Sequence, residues 1–154
     1  MKKAFSIVEL MLVVSIIGIL ATVAIPQYLE MQLKARRAEA PMNVDSIATY
    51  AIAYFNSSDE WLDGCALNPA EPLGKTARRF SPTADACWSA LDWEPDGLVR
   101  CSYMMERFGS GLTSYNRVTG QCDVDDDGNF YFFRRYVVTP LANGYSAEVD
   151  PQYY

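Results

Sequence analysis

The sequence predicts an α+β fold, in which a long N-terminal α-helix with a protruding hydrophobic half packs on an antiparallel β-sheet head. The first observation is an apolar run, Phe5 to Ile25, that continues into a helical pattern. The second is a set of short segments after Leu98 that are rich in β-branched and aromatic residues and separated by turn-forming residues. The third is the length of 154 residues, which suits one domain with a real core but not two.

The composition argues against most enzyme classes. The chain has no His, which removes imidazole general bases, Cys–His and Ser–His nucleophile pairs and His-ligated zinc. Its net charge of −6 has the wrong sign for holding a phosphate backbone by summed charge. We therefore expect no catalytic residues, no required cofactor and no specific nucleic-acid partner.

The N-terminal apolar run is predicted to be a membrane-compatible helix. It has about 21 residues, or roughly 31 Å as a helix, which is enough to cross a bilayer. Lys2 and Lys3 precede it and place its start in the cytoplasm by the positive-inside bias. A secretory signal peptide is the alternative, but the run ends in Ile25-Pro26-Gln27-Tyr28 rather than in a small-x-small cleavage site. We therefore expect the helix to be retained.

Glu9 is a carboxylate inside this apolar run. Such a group is unfavourable in lipid unless it is paired or lies near the headgroups, so Glu9 is a candidate functional residue that needs a cationic partner. The alternative is a carboxylate that reaches the interface and favours the positive end of the helix dipole, without any further function.

Beyond the apolar run the pattern becomes that of an amphipathic helix, which is predicted to pack one apolar stripe on the sheet. The stripe consists of Val44, Ile47, Ala48, Ala51, Tyr54 and Phe55. Pro41 is expected either to kink this helix or to open a second helical piece, and the segment Asn56–Asp59 is expected to end it. Arg36, Arg37 and Glu39 are predicted to mark an exposed middle portion.

The head is predicted to begin with a connecting loop and to end in strands. Residues 62–93 contain many Pro, Gly, Asp and aromatic residues and are expected to form a long loop. Strands are predicted at Leu98–Met104, Leu112–Tyr115 and Phe130–Val138. Lys75, Arg78 and Arg79 form a small basic cluster, which is interpreted as a solvated or subunit-contacting face because no aromatic residues interleave with it.

The four cysteines are Cys65, Cys87, Cys101 and Cys122, with no C-x-x-C pair of the kind typical of zinc or redox sites. Three pairings are possible. Loop lengths favour Cys65–Cys87 with Cys101–Cys122, because each bridge closes a local loop of about twenty residues. Disulfides fit an exported head in an oxidising compartment, and the alternative is four reduced, buried thiols in a cytosolic protein.

The acidic segment that begins at Asp123 has the D-x-D-x-D-G spacing of a calcium loop. The predicted ligands are Asp123, Asp125 and Asp127, with the backbone carbonyl of Asn129 as a further candidate. A complete EF-hand is excluded because its closing Glu would fall at Arg134. The alternative is an acidic, solvated hairpin turn, since Asp-Gly-Asn is itself typical turn chemistry.

The order of residues at the N-terminus is distinctive. It consists of Ala4-Phe5-Ser6-Ile7-Val8-Glu9-Leu10-Met11, then Val13-Val14-Ser15-Ile16-Ile17-Gly18-Ile19-Leu20-Ala21 and Ala24-Ile25-Pro26. These residues resemble the class III signal and N-terminal helix of type IV pilins and the related pseudopilins, over about residues 1–56. The resemblance implies cleavage between Ala4 and Phe5 by a prepilin peptidase, N-methylation of Phe5, and pairing of Glu9 with the N-terminus of a neighbouring subunit. The family usually has Gly where Ala4 stands, and its leaders are usually longer.

The resemblance also implies a domain organisation. Residues 1–4 would be the leader peptide, residues 5–26 the transmembrane and filament-core helix, residues 27–57 an amphipathic helix, and residues 58–154 the disulfide-containing head. Gly18 and Pro26 would be assembly positions. Because Pro removes a backbone donor and this stretch is often unwound in filaments of the family, a weak or melted segment is expected between them.

The function implied is that of a structural subunit, not an enzyme. The precursor would lie in the inner membrane, and the pilus assembly machinery would polymerise it into a surface filament, a helical homo-oligomer, for adhesion, motility or DNA uptake. One alternative is a pseudopilin of a type II secretion system or a minor pilin. An alternative of another class is a monomeric, membrane-anchored adhesive module that binds Ca²⁺, the one possible cofactor, and in which Glu9 is incidental.

Overall fold

The computed structural model describes residues 5–70, 74–110 and 114–138. The chain consists of two compact units, and the boundary between them lies between Ala35 and Arg36. Helix α1, Ile7–Arg37, has no buried residue. Among the described residues, one helix, which begins at Ile7, is long and apolar enough to cross a membrane by length and composition. The leader residues 1–4, and with them Ala4, lie outside the described residues.

Helix α1 runs without interruption through Gly18 and Pro26. The melted segment expected between these residues is therefore absent from α1 as this structure describes it. A proline inside a helix removes one backbone hydrogen bond, and the turns on either side continue the helical geometry here. Unwinding of this stretch stays a prediction for the assembled state alone.

Helix α2, Glu39–Ser58, follows a turn at Ala38. Pro41 lies in its first turn, where a missing N–H costs no intrahelical bond, so Pro41 opens a second helical piece. The helix ends at Asp59, which has φ 57° and donates its N–H to the carbonyl of Phe55. The buried residues are Ala40, Val44, Ile47, Ala48 and Ala51. Four of the six predicted stripe positions are therefore buried, and Tyr54 and Phe55 are half-buried.

The head contains a four-stranded antiparallel sheet, a two-stranded sheet and a short helix. The strands are β1 Gly64–Asn68, β2 Arg78–Arg79, β3 Leu98–Val99, β4 Cys101–Phe108, β5 Tyr115–Cys122 and β6 Tyr131–Val138, and the helix is α3, Ala86–Leu91. The larger sheet has the order β1-β4-β5-β6, and β2 pairs with β3. Helix α2 packs mainly on β5 and β6. The predicted α+β class, with a helix on an antiparallel sheet, is confirmed.

Three predictions within the head are wrong. The strand predicted at Leu98–Met104 is divided at Arg100 into β3 and β4, which belong to different sheets. Residues 62–93 are not one loop, because they contain β1, β2 and α3. The strand predicted at Leu112–Tyr115 begins only at Tyr115 and continues to Cys122, and residues 111–113 lie outside the described residues. The physical reason is composition: β1 and β5 are rich in Gly, Asn and Gln, which favour strands poorly, and pairing with β4 orders them.

The core of the head is aromatic and is closed by α2. Phe80 lies edge-on to Trp88 and Trp93, with ring centroids 5.1 and 5.0 Å apart, and Trp93 meets Tyr103 at 5.7 Å. Two of the buried indole N–H groups have acceptors: Trp88 donates to the carbonyl of Ala66 at 2.8 Å, and Trp93 donates to a hydroxyl of α2 at 3.0 Å. Close ring contacts and paired donors stabilise this part of the core.

Two disulfides join Cys65 to Cys87 and Cys101 to Cys122. These are the pairs that loop length favours, and the four cysteines have no free thiol. The first bridge ties β1 to α3. The second joins β4 to β5 at directly opposite positions of the ladder.

Candidate assembly helix and acidic turn

The start of α1 is capped by Glu9. The backbone N–H of Ser6 donates to Glu9 Oε2 at 3.3 Å, which is the Glu half of a capping box. The sequence carries the signal for this contact, since Ser6 precedes the apolar run and Glu9 follows it by three residues. The sequence analysis of Glu9 did not predict this hydrogen bond with Ser6. Glu9 is exposed within its unit and therefore remains accessible to a further partner.

The surface of α1 is predominantly apolar all round from Ile7 to Ile25. Ile7 and Ile19 are 76% and 70% exposed, and Phe5, just before the helix, is 76% exposed. The polar side chains within the run are satisfied internally: the Ser15 hydroxyl donates to the carbonyl of Leu12 at 2.8 Å and that of Thr22 to the carbonyl of Ile19 at 2.7 Å. Because even its hydroxyls have acceptors, α1 is suited to an apolar environment, either lipid or other helices.

Gly18 leaves open space on this helix. A Cβ built there would meet nothing within 4 Å. The absence of a side chain gives a second helix room for close approach, as small residues do at helix interfaces.

The acidic turn between β5 and β6 brings three predicted ligands together. Carboxylate oxygens of Asp123, Asp125 and Asp127 lie within 4.8 Å of one another. Asp123 is buried, and its oxygens accept the backbone N–H groups of residues 126, 127 and 128 at 2.8, 3.3 and 3.2 Å. Asp127 accepts both the backbone N–H and the amide of Asn129, which lower the pKa of the Asp127 carboxyl. The backbone N–H and the side-chain amide of Asn129 thus act as hydrogen-bond donors to the Asp127 carboxylate.

The turn has a cation of its own, Arg37. Its Nη2 lies 3.3 Å from Asp125 Oδ2, and its guanidinium carbon lies 3.3 Å from the centroid of the Tyr131 ring. The Arg37 side chain is only 14% exposed. Ca²⁺ takes six to eight oxygen ligands, and here an arginine already occupies one side of the cluster. Arg37 therefore takes one oxygen of the Asp125 carboxylate, and the other, Oδ1, is buried without a hydrogen-bond partner among the described residues.

The prediction that Arg36, Arg37 and Glu39 are exposed is wrong, because all three residues are half-buried. Glu39 is half-buried, and its Oε1 accepts the backbone N–H groups of Arg100 and Cys101 at 2.6 and 2.9 Å. Charged residues in an amphipathic helix usually face solvent, but here the β3–β4 and β5–β6 segments fold back onto the start of α2. Helical periodicity cannot predict these contacts, because they join residues far apart in the chain.

A buried tyrosine completes the contact of α2 with β4. Asn43 donates its amide to the Tyr103 hydroxyl at 2.8 Å, and Glu39 Oε1 lies 3.5 Å from the same oxygen. Burial, with smaller effects of Glu39, raises the pKa of Tyr103 well above its ordinary value. The hydroxyl therefore stays protonated, and its contacts with Asn43 and Glu39 join β4 to α2.

The chain is similar to several curated proteins. It is 38% identical over 62 residues to the type IV major pilin protein PilA of Myxococcus xanthus, covering 40% of this chain and 28% of that protein. It is 31% identical over 80 residues to a type IV major pilin protein PilE1 of Neisseria gonorrhoeae, covering 49% and 48%. A fimbrial protein of Pseudomonas aeruginosa is 44% identical over 50 residues, or 32% of each chain.

The aligned stretch spans less than half the length of each of these relatives. No protein-family model matches the chain. No solved structure matches it either. The similarities nonetheless confirm the resemblance to type IV pilins that the N-terminal residues carry.

Proposed function

We propose that this chain, similar over part of its length to type IV major pilins and fimbrial proteins, is a structural subunit of a type IV pilus. The observation that carries the proposal is a helix, α1, which has a predominantly apolar surface from Ile7 to Ile25 and no buried residue, in a chain whose head has its own disulfide-linked core. Such a helix is stable in lipid and equally stable against copies of itself. Storage in the inner membrane and packing in a filament would then use the same surface.

Processing would generate the partner of Glu9. Cleavage between Ala4 and Phe5 by a prepilin peptidase leaves an amino group on Phe5, which is then methylated. In the filament, Glu9 would exchange its hydrogen bond from Ser6 for an ion pair with the Phe5 amine of a neighbouring subunit. A buried carboxylate without a cation is unfavourable, so this pair would fix the axial register of the subunits.

The proposed subunit performs no catalysis. Its work is mechanical and adhesive, in a surface filament used for adhesion, motility or DNA uptake. The relatives are named major pilins and fimbrial proteins, which favours a pilus subunit over a secretion pseudopilin.

Replacement of Glu9 tests the assembly role. We expect Glu9→Ala to lower the yield of sheared surface filaments by roughly tenfold or more, because the Phe5 amine is left unpaired in the filament core. Glu30→Ala is the matched control: Glu30 is also a carboxylate of α1, and its pair with Lys34 at 4.0 Å is exposed. Equal filament yields from Glu9→Ala and the wild type, at equal precursor levels by immunoblot, would contradict the assembly role and favour an anchored monomer.

Intact-mass spectrometry of sheared filaments tests processing. The proposal requires loss of Met1–Ala4, one added methyl group, and four hydrogens fewer than the reduced chain, two for each disulfide. Detection of the chain only as an unprocessed membrane monomer would overturn the pilus proposal.

A further inference from the structure

An acidic strip lies on the surface of the head just before β3. Burial alternates strictly from Leu91 to Asp96, so that every second residue faces out. Trp93 and Pro95 are buried, whereas Asp92, Glu94 and Asp96 are exposed. Three exposed carboxylates therefore alternate with buried residues between the end of α3 and the start of β3, and we name these three residues the acidic strip.

A basic patch is formed by residues on both sides of the acidic strip in the chain, around the two-stranded sheet of β2 and β3. Arg79 of β2 is directly opposite Leu98 of β3, so both side chains lie on one face of the two-stranded sheet. Leu98 is 62% exposed, although it is a large apolar residue. Arg100 donates from its guanidinium to the carbonyl of Lys75, which brings Lys75 beside the same face. We name these four residues, Lys75, Arg79, Leu98 and Arg100, the basic patch.

Ion pairs within the described part of the chain leave the acidic strip, Lys75 and Arg79 out. Among residues 5–70, 74–110 and 114–138, none of the three strip carboxylates forms an ion pair, and neither does Lys75 or Arg79. Other head cations behave differently: Arg107 pairs with Asp63 at 2.8 Å and Arg117 with Glu106 at 2.6 Å. Within the described residues the head thus presents three carboxylates in the acidic strip and three cations in the basic patch.

We propose that the basic patch of one subunit docks on the acidic strip of another copy of this chain. The proposed contact is heterologous, because it joins two different sets of residues, and a heterologous contact that does not close on itself propagates into a filament. Leu98 would lie at the centre of the contact, surrounded by ion pairs. The inference rests on the proposed pilus function and adds a head-to-head contact to the packing of α1.

A second copy fits these surfaces better than nucleic acid does. The chain has a net charge of −6, and the basic patch supplies only three cations, whereas the same head supplies a matching set of three carboxylates. Exposed ion pairs are individually weak, but each subunit of a filament repeats the contact. The contact should therefore weaken as salt rises.

Zero-length cross-linking tests the proposal directly, because Lys75 is the only lysine after Lys34. Wild-type filaments and detergent-solubilised monomers are treated with a carbodiimide, and covalent dimers are digested and sequenced by mass spectrometry. We expect filaments, but not monomers, to yield a dimer that links Lys75 to Asp92, Glu94 or Asp96. Dimers that link Lys75 only to carboxylates elsewhere, or no Lys75-linked dimer from intact filaments, would overturn the docking.

A charge exchange provides the second arm. We expect Arg79→Glu and Glu94→Arg each to lower filament yield by about two- to fivefold, and the double variant to restore it. Glu60→Arg, a reversal at an exposed carboxylate outside the strip, is the control and should leave the yield unchanged. A double variant no better than either single variant would overturn the docking while wild-type filaments still support the pilus proposal. Absence of wild-type filaments would overturn both.

Discussion

Arg37 is the cation that contacts the acidic turn. Its guanidinium stacks on Tyr131 and reaches Asp125, so it neutralises charge where a calcium ion was predicted. Three carboxylates within 4.8 Å repel one another, and either cation relieves that repulsion. The guanidinium of Arg37 and a calcium ion would therefore compete for the Asp125 carboxylate.

Removal of Arg37 tests that competition. We expect Arg37→Ala to lower the free energy of unfolding of the full chain in detergent by about 1–3 kcal/mol, through loss of the charge-assisted hydrogen bond and the ring contact. Calcium chloride should then raise the melting temperature of the variant more than that of the wild type. The neighbouring substitution Arg36→Ala is the control, measured by the same calorimetry. An equal calcium response in the wild type and Arg37→Ala would show that Arg37 does not occupy the site.

At the scale of elements, the approach of α2 to the sheet depends on Gly120 of β5. A Cβ at this position would lie 2.9 Å from Val44 Cγ2 of α2 and 3.4 Å from the Tyr103 ring. Both neighbours are buried, so neither has free space to move into. The glycine sits mid-strand because the helix would otherwise stand further from the sheet.

A double-mutant cycle tests this close approach. Gly120→Ala should destabilise the head by about 1–3 kcal/mol through overpacking. Val44→Ala removes the nearest methyl groups, so the double variant should be less destabilised than the sum of the single variants. Urea unfolding of the four proteins measures the coupling. Strict additivity would mean that Val44 does not limit the distance between α2 and β5.

At the scale of the whole molecule, two disulfides hold together a head of short strands and loops. Each bridge closes a loop of similar length, with separations of 22 and 21 residues. The chain-entropy contribution of the two bridges should therefore be nearly equal. Their surroundings differ, because Cys101 and Cys122 are fully buried inside the sheet, whereas Cys87 retains some exposure.

Pairwise replacement of the cysteines tests that difference. We expect Cys65→Ala with Cys87→Ala to cost about 2–4 kcal/mol of unfolding free energy, and Cys101→Ala with Cys122→Ala to cost more, because a buried cavity is added to the lost loop constraint. Thermal unfolding of both variants, beside the oxidised wild type, gives the comparison. A smaller loss at the buried bridge would show that the sheet relaxes to fill the space.

Several features of this protein follow from local sequence because their physical cause is local. The apolar run predicts α1, since helix length and side-chain hydrophobicity are properties of consecutive residues. The stripe of α2 follows from helical period, and the aromatic segments predict β4 and β6. The two disulfide pairs agree with loop length, which is also counted along the chain.

Other features were decided only by the tertiary structure, because they depend on residues far apart in the chain. β1 forms as a strand because β4 offers it a ladder, not because Gly64–Asn68 favours extension. Arg37 and Glu39 look like solvated charges in a helix, yet the segments around Asp125 and Arg100 return to them from more than sixty positions away. The basic patch arises in the same way, since only the pairing of β2 with β3 places Arg79 beside Leu98. Local pattern determined which segments form and which faces are apolar, and long-range packing determined which charges are neutralised and which remain for a partner.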